Sequence, residues 1–398
     1  MNKIISVNAG SSSLKFQLFE MPSEAVLCSG IVERIGLEDG IFTIKFDGQK
    51  VVERMPIPDH TLAVELLLKA LVKQNIVASL EEIVGVGHRV VHGGELYNKS
   101  VVFDDEVEKN VEALSDLAPL HNPANLVGYR AFKMELPHAR HVAVFDTAFH
   151  QTMPQDVYLY PIPMEYYKDY KIRRYGFHGT SHFYVSHRVS ELMGKSIETL
   201  NIITCHLGNG ASIAAVQSGK SVNTSMGFTP LAGIMMGTRS GDVDPAILTY
   251  VMGKTGKSAQ EVIDVLNKKS GMLGVSEMSS DAREIEDAFE EGNPKAILTR
   301  NIYANRIAQT IGSYFVQMGG VDAIVFTGGV GENDYGVRYD VISRIAKALQ
   351  VEMDIDLNCA VRGKEVLLSK PNSKVQVWLV PTNEELVIAR DTVDCLGL

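Results

Sequence analysis

Along residues 4–20, IISVNAGSSSLKFQLFE, an apolar run is broken by a Gly/Ser-rich turn and then resumes with a period of two. Leu14, Phe16 and Leu18 alternate with Lys15 and Gln17, the spacing of a half-buried strand rather than of a helix. Apolar, β-branched runs recur in HVAVF near 141, NIITC near 201, VDAIVF near 321 and VQVWLV near 375. Helical spacing of apolar positions marks TLAVELLLKALVKQ, AQEVIDVLNKK, AILTRNIYANRIAQTIGSYFVQM and YDVISRIAKALQ. Strand and helix signals alternate throughout, which predicts an α/β architecture. A chain of 398 residues exceeds one ordinary core, so two domains are expected. Low-complexity stretches and long Pro/Ser linkers are absent, which places the boundary in a short connection. The aromatic, proline-containing segment YLYPIPMEYYKDYKIRRYGFHG (158–179) is the candidate zone.

The pattern repeats once. IISVNAGSSSLKF (4–16) written over IITCHLGNGASIA (202–214) sets Ile4, Ile5 and Gly10 on Ile202, Ile203 and Gly208, Ser6 on Thr204, and Asn8 on His206. Both read as strand, small polar turn, strand. The repeat predicts two related lobes, each presenting a tight turn whose backbone N–H groups can cradle an anion. Two unrelated Gly-containing hairpins are the plainer reading.

Composition narrows the function classes. A net charge of −10 argues against nucleic acid and against an anionic membrane surface as partners, while leaving anionic small molecules open. The four cysteines, Cys28, Cys205, Cys359 and Cys395, are scattered as expected of free thiols in a reducing compartment. No apolar leader and no run of about 18 apolar residues is present, so the expected location is the cytoplasm.

Two glycine motifs need separating. MGKTGKS (252–258) imitates the phosphate loop GxxxxGK[ST], but position 251, where the first glycine belongs, is Val251, and no strand leads into it. It reads as a solvated turn between two helices. In VDAIVFTGGVGEN, by contrast, Gly328, Gly329 and Gly331 follow a buried-looking strand, where α/β sheets place ligands and glycine lets the backbone come close.

Arg89 in VGHRVVHGGE and Arg239 in GTRSGDVDP are cations in nearly uncharged surroundings. Each can grip a carboxylate or phosphate through two parallel hydrogen bonds, or pair with a structural acid such as Asp242 or Asp244. Asp146 ends the strand VAVF, as a metal-holding or reacting carboxylate or as a helix cap. Glu384 and Glu385 open a helix, EELVIARDTV, where the helix dipole alone would favour them, and a Mg2+ role needs phosphates nearby. His178 and His182 are spaced i, i+4, followed by His187, but without the partners of a zinc site. A helix-capping or phosphate-contacting role suits His178 better.

In order along residues 8–385, NAGSSSLK, GHRVVHGGE, LHNPAN, VFDTAFH, RRYGFHGTSH, CHLGNGAS, MGFTPLAG, GTRSGDVDP, SSDAREIE, FTGGVGEN and PTNEE together resemble the acetate kinase family. The resemblance implies an α/β fold of two duplicated actin-like (ribonuclease H-like) lobes around a nucleotide-binding cleft, with lobes 1–149 plus 384–398 and 150–383. It implies a homodimer, ATP as co-substrate, and Mg2+ (with Mn2+ the alternative ion) at Asn8 and Glu384. Lys15, the turn His206, Leu207, Gly208, Asn209 and Gly210, and the stretch Gly329, Val330, Gly331, Glu332 and Asn333 look like nucleotide contacts, and Asp281, Ala282 and Arg283 look like the adenosine border. Arg89 would bind the acid, His178 and Arg239 would stabilise the moving phosphoryl group, and Asp146 is the family's catalytic carboxylate. Val91, Leu120, Phe177 and Pro230 match its apolar pocket for the acetate methyl. Residues 20–80 carry no motif and inherit only the fold.

The implied reaction is ATP plus acetate giving ADP plus acetyl phosphate, and its reverse. A carboxylic acid with a pKa near 4.3 is already ionised at pH 7, so Asp146 is expected to orient Arg89 or a metal-bound water rather than take a proton. A propionate or other short-chain carboxylate kinase is the nearest rival. An actin-like filament subunit or chaperone ATPase is the rival from another class; it would need neither Arg89 nor Arg239.

Overall fold

The computed structural model describes residues 2–119 and 121–398. The chain divides into two compact units, Met1–Phe149 with Asn383–Leu398, and His150–Thr382. The first division thus falls ahead of the 158–179 segment. The second falls at Asn383 rather than Glu384, because Asn383 caps the closing helix by accepting from the Leu386 N–H at 3.1 Å.

The first unit holds an eight-stranded sheet built from β1 (Asn2–Ala9), β2 (Ser13–Met21), β3 (Ala25–Glu33), β4 (Leu37–Phe46), β5 (Gln49–Ile57), β6 (Ile83–Val90), β7 (Val101–Val102) and β8 (Arg140–Phe145), in the order β5-β4-β3-β2-β1-β6-β8-β7. The second holds a six-stranded sheet of β9 (Asn201–Leu207), β10 (Ala211–Gln217), β11 (Lys220–Thr224), β12 (Ala323–Thr327), β13 (Val366–Leu367) and β14 (Gln376–Leu379), in the order β11-β10-β9-β12-β14-β13. In each, the first strand (β1 or β9) pairs antiparallel with the second and parallel with β6 or β12, and an antiparallel strand closes the far edge. Six strands therefore repeat in the same order and sense. The additions β4 and β5 fall in the motif-free residues 20–80.

The strand period seen in β2 has its expected cause. Leu14, Phe16 and Leu18 are buried in the core of the first unit, while Lys15 is exposed. Each such burial contributes about 1.5–3 kcal/mol. Helix Glu384–Leu396 packs on β1, β6 and β8, which ties the end of the chain to its first strand. In the second unit β10 is buried from Ala211 to Val216, consistent with helix Pro294–Gln317 packing on it, while helix Gly179–Met193 packs on β9. The false phosphate loop is the turn between helices Ala246–Thr255 and Ala259–Lys268, closed by a capping box at Ser258. Among the described residues no helix is long and apolar enough to cross a membrane.

The duplicated hairpins differ in one respect. The last pair before the first turn is Ala9↔Leu14, and before the second it is Leu207↔Ala211. The first turn is one residue longer, with Gly10 N–H donating to the Ser13 carbonyl (2.8 Å) where Gly208 N–H donates to Gly210 (3.1 Å). The gapless match of the two sequences holds up to the glycine and slips after it. Asn8 pairs with Lys15 and His206 with Ser212, so Ser212, not Ile213, stands in the place of Lys15.

Candidate active site

In the first unit the side chains gather at the ends of β1, β6 and β8. Arg89 donates from Nε to Asp146 Oδ1 (3.0 Å) and from Nη2 to Asp146 Oδ2 (2.5 Å), a bidentate pair, and from Nη1 to Asn8 Oδ1 (3.2 Å). Asp146 is buried and Arg89 keeps one-fifth of its side chain exposed. Burial opposes the charge on Arg89, but Asp146 beside it, with Glu384 and Glu385, raises its pKa overall. Glu384 sits in the same field. Loss of water around it raises its pKa to about 7 in spite of Arg89, with Asp146 and Glu385 adding to the rise. Val91 is buried next to this set, its N–H held by Asn125 Oδ1 (3.0 Å), whose amide reaches the Ala9 carbonyl (2.8 Å). The companion Asn122 accepts from His92 N–H at 3.1 Å and donates to the His92 carbonyl at 3.0 Å. These buried asparagines of LHNPAN stitch the helix Asn122–Glu135 to the loop after β6. Leu120 lies outside the described residues.

The second unit contains a cavity of 660 Å³. Gly208, Asn209, Asp281, Ala282, Arg283, Gly329, Val330 and Asn333, eight of the residues expected at the nucleotide, line it. Gly237, Glu286 and Asp334 line it too and were not foreseen. A Cβ at Gly237 would stand 1.8 Å from Asn209 Oδ1, so a larger residue there displaces the Asn209 side chain. Asp281 caps helix Ala282–Glu290 through Arg283 N–H (2.9 Å) and also takes the Arg283 side chain, and these contacts bring its pKa down to about 2. The glycine stretch is a short helix, Gly328–Asn333, whose Glu332 turns away from the cavity to accept from Gly328 N–H (2.9 Å) and Thr382 N–H (3.2 Å). Behind it the fully buried Arg338 donates to the carbonyls of Gly331 (2.9 Å), Glu332 (3.1 Å), Asn358 (3.1 Å) and Val361 (3.0 Å) and to Asn358 Oδ1 (2.8 Å). Gly331 and Glu332 thus serve the loop's anchorage, with Arg338 as the buried cation that satisfies its carbonyls.

His178 precedes helix Gly179–Met193 at φ 57°, in the left-handed region, and makes no side-chain cap. A non-glycine residue there marks a locally imposed conformation. Its ring lies 4.3 Å from that of His206, nearly parallel. A Cβ built at Gly210 would lie 3.6 Å from His178 Nε2 and 3.6 Å from Arg239 Nη1, so both cationic or donor edges flank the turn. Arg239 does not pair with Asp242 or Asp244; it donates to the Pro230 carbonyl at 3.2 Å, and burial lowers its pKa. Phe177 is buried and Pro230 is half-buried.

A divalent cation can be tested against these donors. Among the described residues no group of three His, Cys, Asp or Glu could hold a metal by itself. Asn8 Oδ1 and the Glu384 carboxylate give two oxygens, which suits an ion that takes its other ligands from phosphates and water. The protonation of Glu384, favoured by burial beside Asp146 and Glu385, is what a cation would relieve.

Residues 3–390 match the model of the acetokinase family. The chain belongs to this family. It is 59% identical over 398 residues to the acetate kinase of Anoxybacillus flavithermus, covering 100% of both chains. Among solved structures it is similar to an acetate kinase of Porphyromonas gingivalis (49% identity, TM-score 0.95, 100% of both chains). It is also similar to a propionate kinase of Francisella tularensis (40% identity, TM-score 0.93, 99% of this chain and 100% of that one). The α/β fold with two sheets is that of the acetokinases. At these scores the fold does not separate acetate from propionate.

Proposed function

We propose that this chain transfers the γ-phosphoryl group of ATP reversibly to acetate, giving ADP and acetyl phosphate. The observation that carries this reading is the bidentate Arg89–Asp146 pair at the strand ends of the first unit, in a family member whose second unit holds a nucleotide-sized cavity. Arg89 receives the acid carboxylate. Acetate arrives ionised, and both oxygens of Asp146 already accept from Arg89, so Asp146 has no proton to remove and acts as a positioning residue. A carboxylate oxygen bonds to phosphorus as the bond to the ADP oxygen breaks, and no proton transfer is needed for balance.

Charge on the equatorial oxygens of the moving group is met by Arg239 and His178, a matter of placed donors rather than covalent chemistry. The backbone N–H groups of 206–210 and 329–333, with Lys15, receive the phosphates, and Asp281, Ala282 and Arg283 border the adenosine. Asn8 and Glu384 would hold a Mg2+, or Mn2+ in its place, which would supply charge neutralisation to the phosphates. Val91, Phe177 and Pro230 limit the acid's length. The working form is a cytoplasmic homodimer.

Trapping with hydroxylamine tests the whole reading. Hydroxamate must form only with ATP, divalent metal and acetate together; ATP hydrolysis without acid dependence would instead indicate a filament or chaperone ATPase. Across acetate, propionate and butyrate, kcat/KM should fall with each methylene, by about 10–100-fold at the first step, since one methylene in an apolar pocket is worth about 1–3 kcal/mol. Reversed values would make it a propionate kinase, and equal values would remove the apolar pocket as the limit on acid length.

A further inference from the structure

Beneath His178 lies a buried chain of polar side chains that the reaction as derived does not use. His178 Nδ1 is 2.8 Å from Ser212 Oγ; the same Ser212 Oγ is 2.7 Å from His182 Nε2; and His182 Nδ1 is 2.7 Å from Thr204 Oγ1. Ser212, His182 and Thr204 are fully buried. All four belong to the second unit: Thr204 to β9, Ser212 to β10, and His182 to the first turns of helix Gly179–Met193.

The proton count of these groups leaves two arrangements. A serine hydroxyl has one hydrogen, so with an imidazole on either side it donates to one and accepts from the other. A neutral imidazole has one N–H and one bare nitrogen. His182 is neutral in this setting, because burial and the neighbouring His150 and His206 oppose its charge. In one arrangement His178 Nδ1–H donates to Ser212, Ser212 to His182 Nε2, and His182 Nδ1–H to Thr204. In the other every arrow is reversed.

The far end decides between them. Thr204 Oγ1 has no hydrogen-bond partner other than His182 Nδ1 among the described residues. Under the first arrangement its hydroxyl hydrogen would be buried without an acceptor, a loss that buried polar groups rarely sustain. Under the second, Thr204 donates to His182 Nδ1, His182 Nε2–H to Ser212, and Ser212 to His178 Nδ1, and every polar side-chain hydrogen of the three buried residues is placed. We infer that Thr204, His182 and Ser212 form a one-way buried wire that holds neutral His178 as the tautomer protonated at Nε2. Nε2 is the edge that flanks Gly210 together with Arg239. His178 then offers a hydrogen-bond donor towards a phosphoryl oxygen without first acquiring a proton. Thr204, His182 and Ser212 are positioning residues, and their effect on turnover rests on the reading of His178 given above; the tautomer itself does not.

Nitrogen NMR of the full-length protein labelled at the histidine ring nitrogens tests this directly. His178 in the wild type should be bare at Nδ1 and protonated at Nε2. Thr204→Val removes the terminal donor, so neither polarity is preferred, and His178 should become a mixture of tautomers although Thr204 does not touch it; Thr204→Ser should restore the single form. Ser212→Ala should mix the tautomers as well and lower kcat about tenfold, the loss of one hydrogen bond, with the KM for acetate unchanged. Ser212→Thr should recover both. A wild-type His178 protonated at Nδ1, or a Thr204→Val protein with the wild-type tautomer, overturns the wire. Tautomers that shift as stated, in a protein whose turnover is indifferent to His178→Ala, support the wire and overturn the phosphoryl role of His178.

Discussion

The two units repeat one strand pattern and finish it in different chemistry. Ala9↔Leu14 matches Leu207↔Ala211, so Asn8 stands where His206 stands. Val7↔His88 and Cys205↔Phe326 then set Arg89 in the place of Thr327, and His88↔Ala143 and Phe326↔Leu379 set Asp146 in the place of Thr382. The first unit ends its three central strands in Asn, Arg and Asp, joined by an ion pair; the second ends them in His, Thr and Thr, with Thr327 and Thr382 both donating to Glu332. Thr382 Oγ1 meets Ser181 Oγ (2.8 Å), which meets His206 Nδ1 (2.8 Å). The scaffold decides where groups stand, and the residue at each strand end decides what they can hold. A fixed guanidinium suits a carboxylate, which needs charge and a bidentate fork. Backbone N–H groups around a glycine turn, with one guanidinium beside them, suit a group that spreads its charge over many oxygens.

The largest expected effects break the charged set. Arg89→Ala leaves Asp146 as a buried, unpaired charge, so unfolding free energy should fall by about 3 kcal/mol or more and kcat/KM for acetate by about 10³-fold. Arg89→Lys returns the charge without the fork. It should regain most of the stability in a urea titration and remain about 10²-fold slow. Near-normal kinetics in that variant would remove the bidentate argument. Asp146→Asn keeps one acceptor for Arg89, and the acetate KM and the Mg2+ dependence should both shift. A loss confined to kcat, equal at all Mg2+ concentrations, would mean that Asp146 reacts rather than positions.

Much of this comparison was legible in the residues. The strand period of Leu14, Phe16 and Leu18, the matching hairpin at 202–214 and the failed phosphate loop at 252–258 rest on local rules, and local rules survive folding. The longer first turn was not legible, because one extra residue in a Gly/Ser run leaves the apolar pattern on either side intact. Whether Arg89 and Arg239 are paired is a long-range fact: Asp146 lies 57 residues from Arg89, while the nearby Asp242 and Asp244 are committed to backbone N–H groups. Arg338 and Thr204 lie in no motif, and His182 at the end of RRYGFHGTSH and Ser212 at the end of CHLGNGAS give no sign in sequence that they meet. Their only signal is burial of polar side chains, which a sequence does not display.

A smaller effect separates the units at the nucleotide. Gly237 borders the cavity of the second unit, and the Cβ of Gly237→Ala would displace the Asn209 side chain. Overpacking of this kind costs about 1–3 kcal/mol, so the KM for ATP should rise about 10-fold or more while the KM for acetate stays within twofold. Equal increases in both would mean that the two sets do not bind their ligands independently.

The smallest effect concerns a buried histidine pair within the strands of the first unit. His88 and His141 share a hydrogen bond of 2.9 Å on β6 and β8, where the second unit has Phe326 and Val377. Burial, with Lys133 nearby, lowers the His141 pKa to about 4 from an ordinary 6.5, and burial, with His141 beside it, lowers that of His88 well below its ordinary value. A folded-state pKa below the unfolded value means that the unfolded chain binds the proton first. The stability from neutral His141 is complete above pH 6.5 and is lost as pH falls from 6.5 towards 4, by roughly 3 kcal/mol in all. A double variant carrying the second unit's residues, H88F/H141V, removes both titrations. Its stability at pH 8 can move either way with packing, but its decline between pH 6.5 and 5 should be shallower than that of the wild type by as much as about 1.4 kcal/mol per pH unit for each proton removed. Urea midpoints measured across that interval, with parallel slopes in the two proteins, would show that acid sensitivity lies elsewhere than at this strand pair.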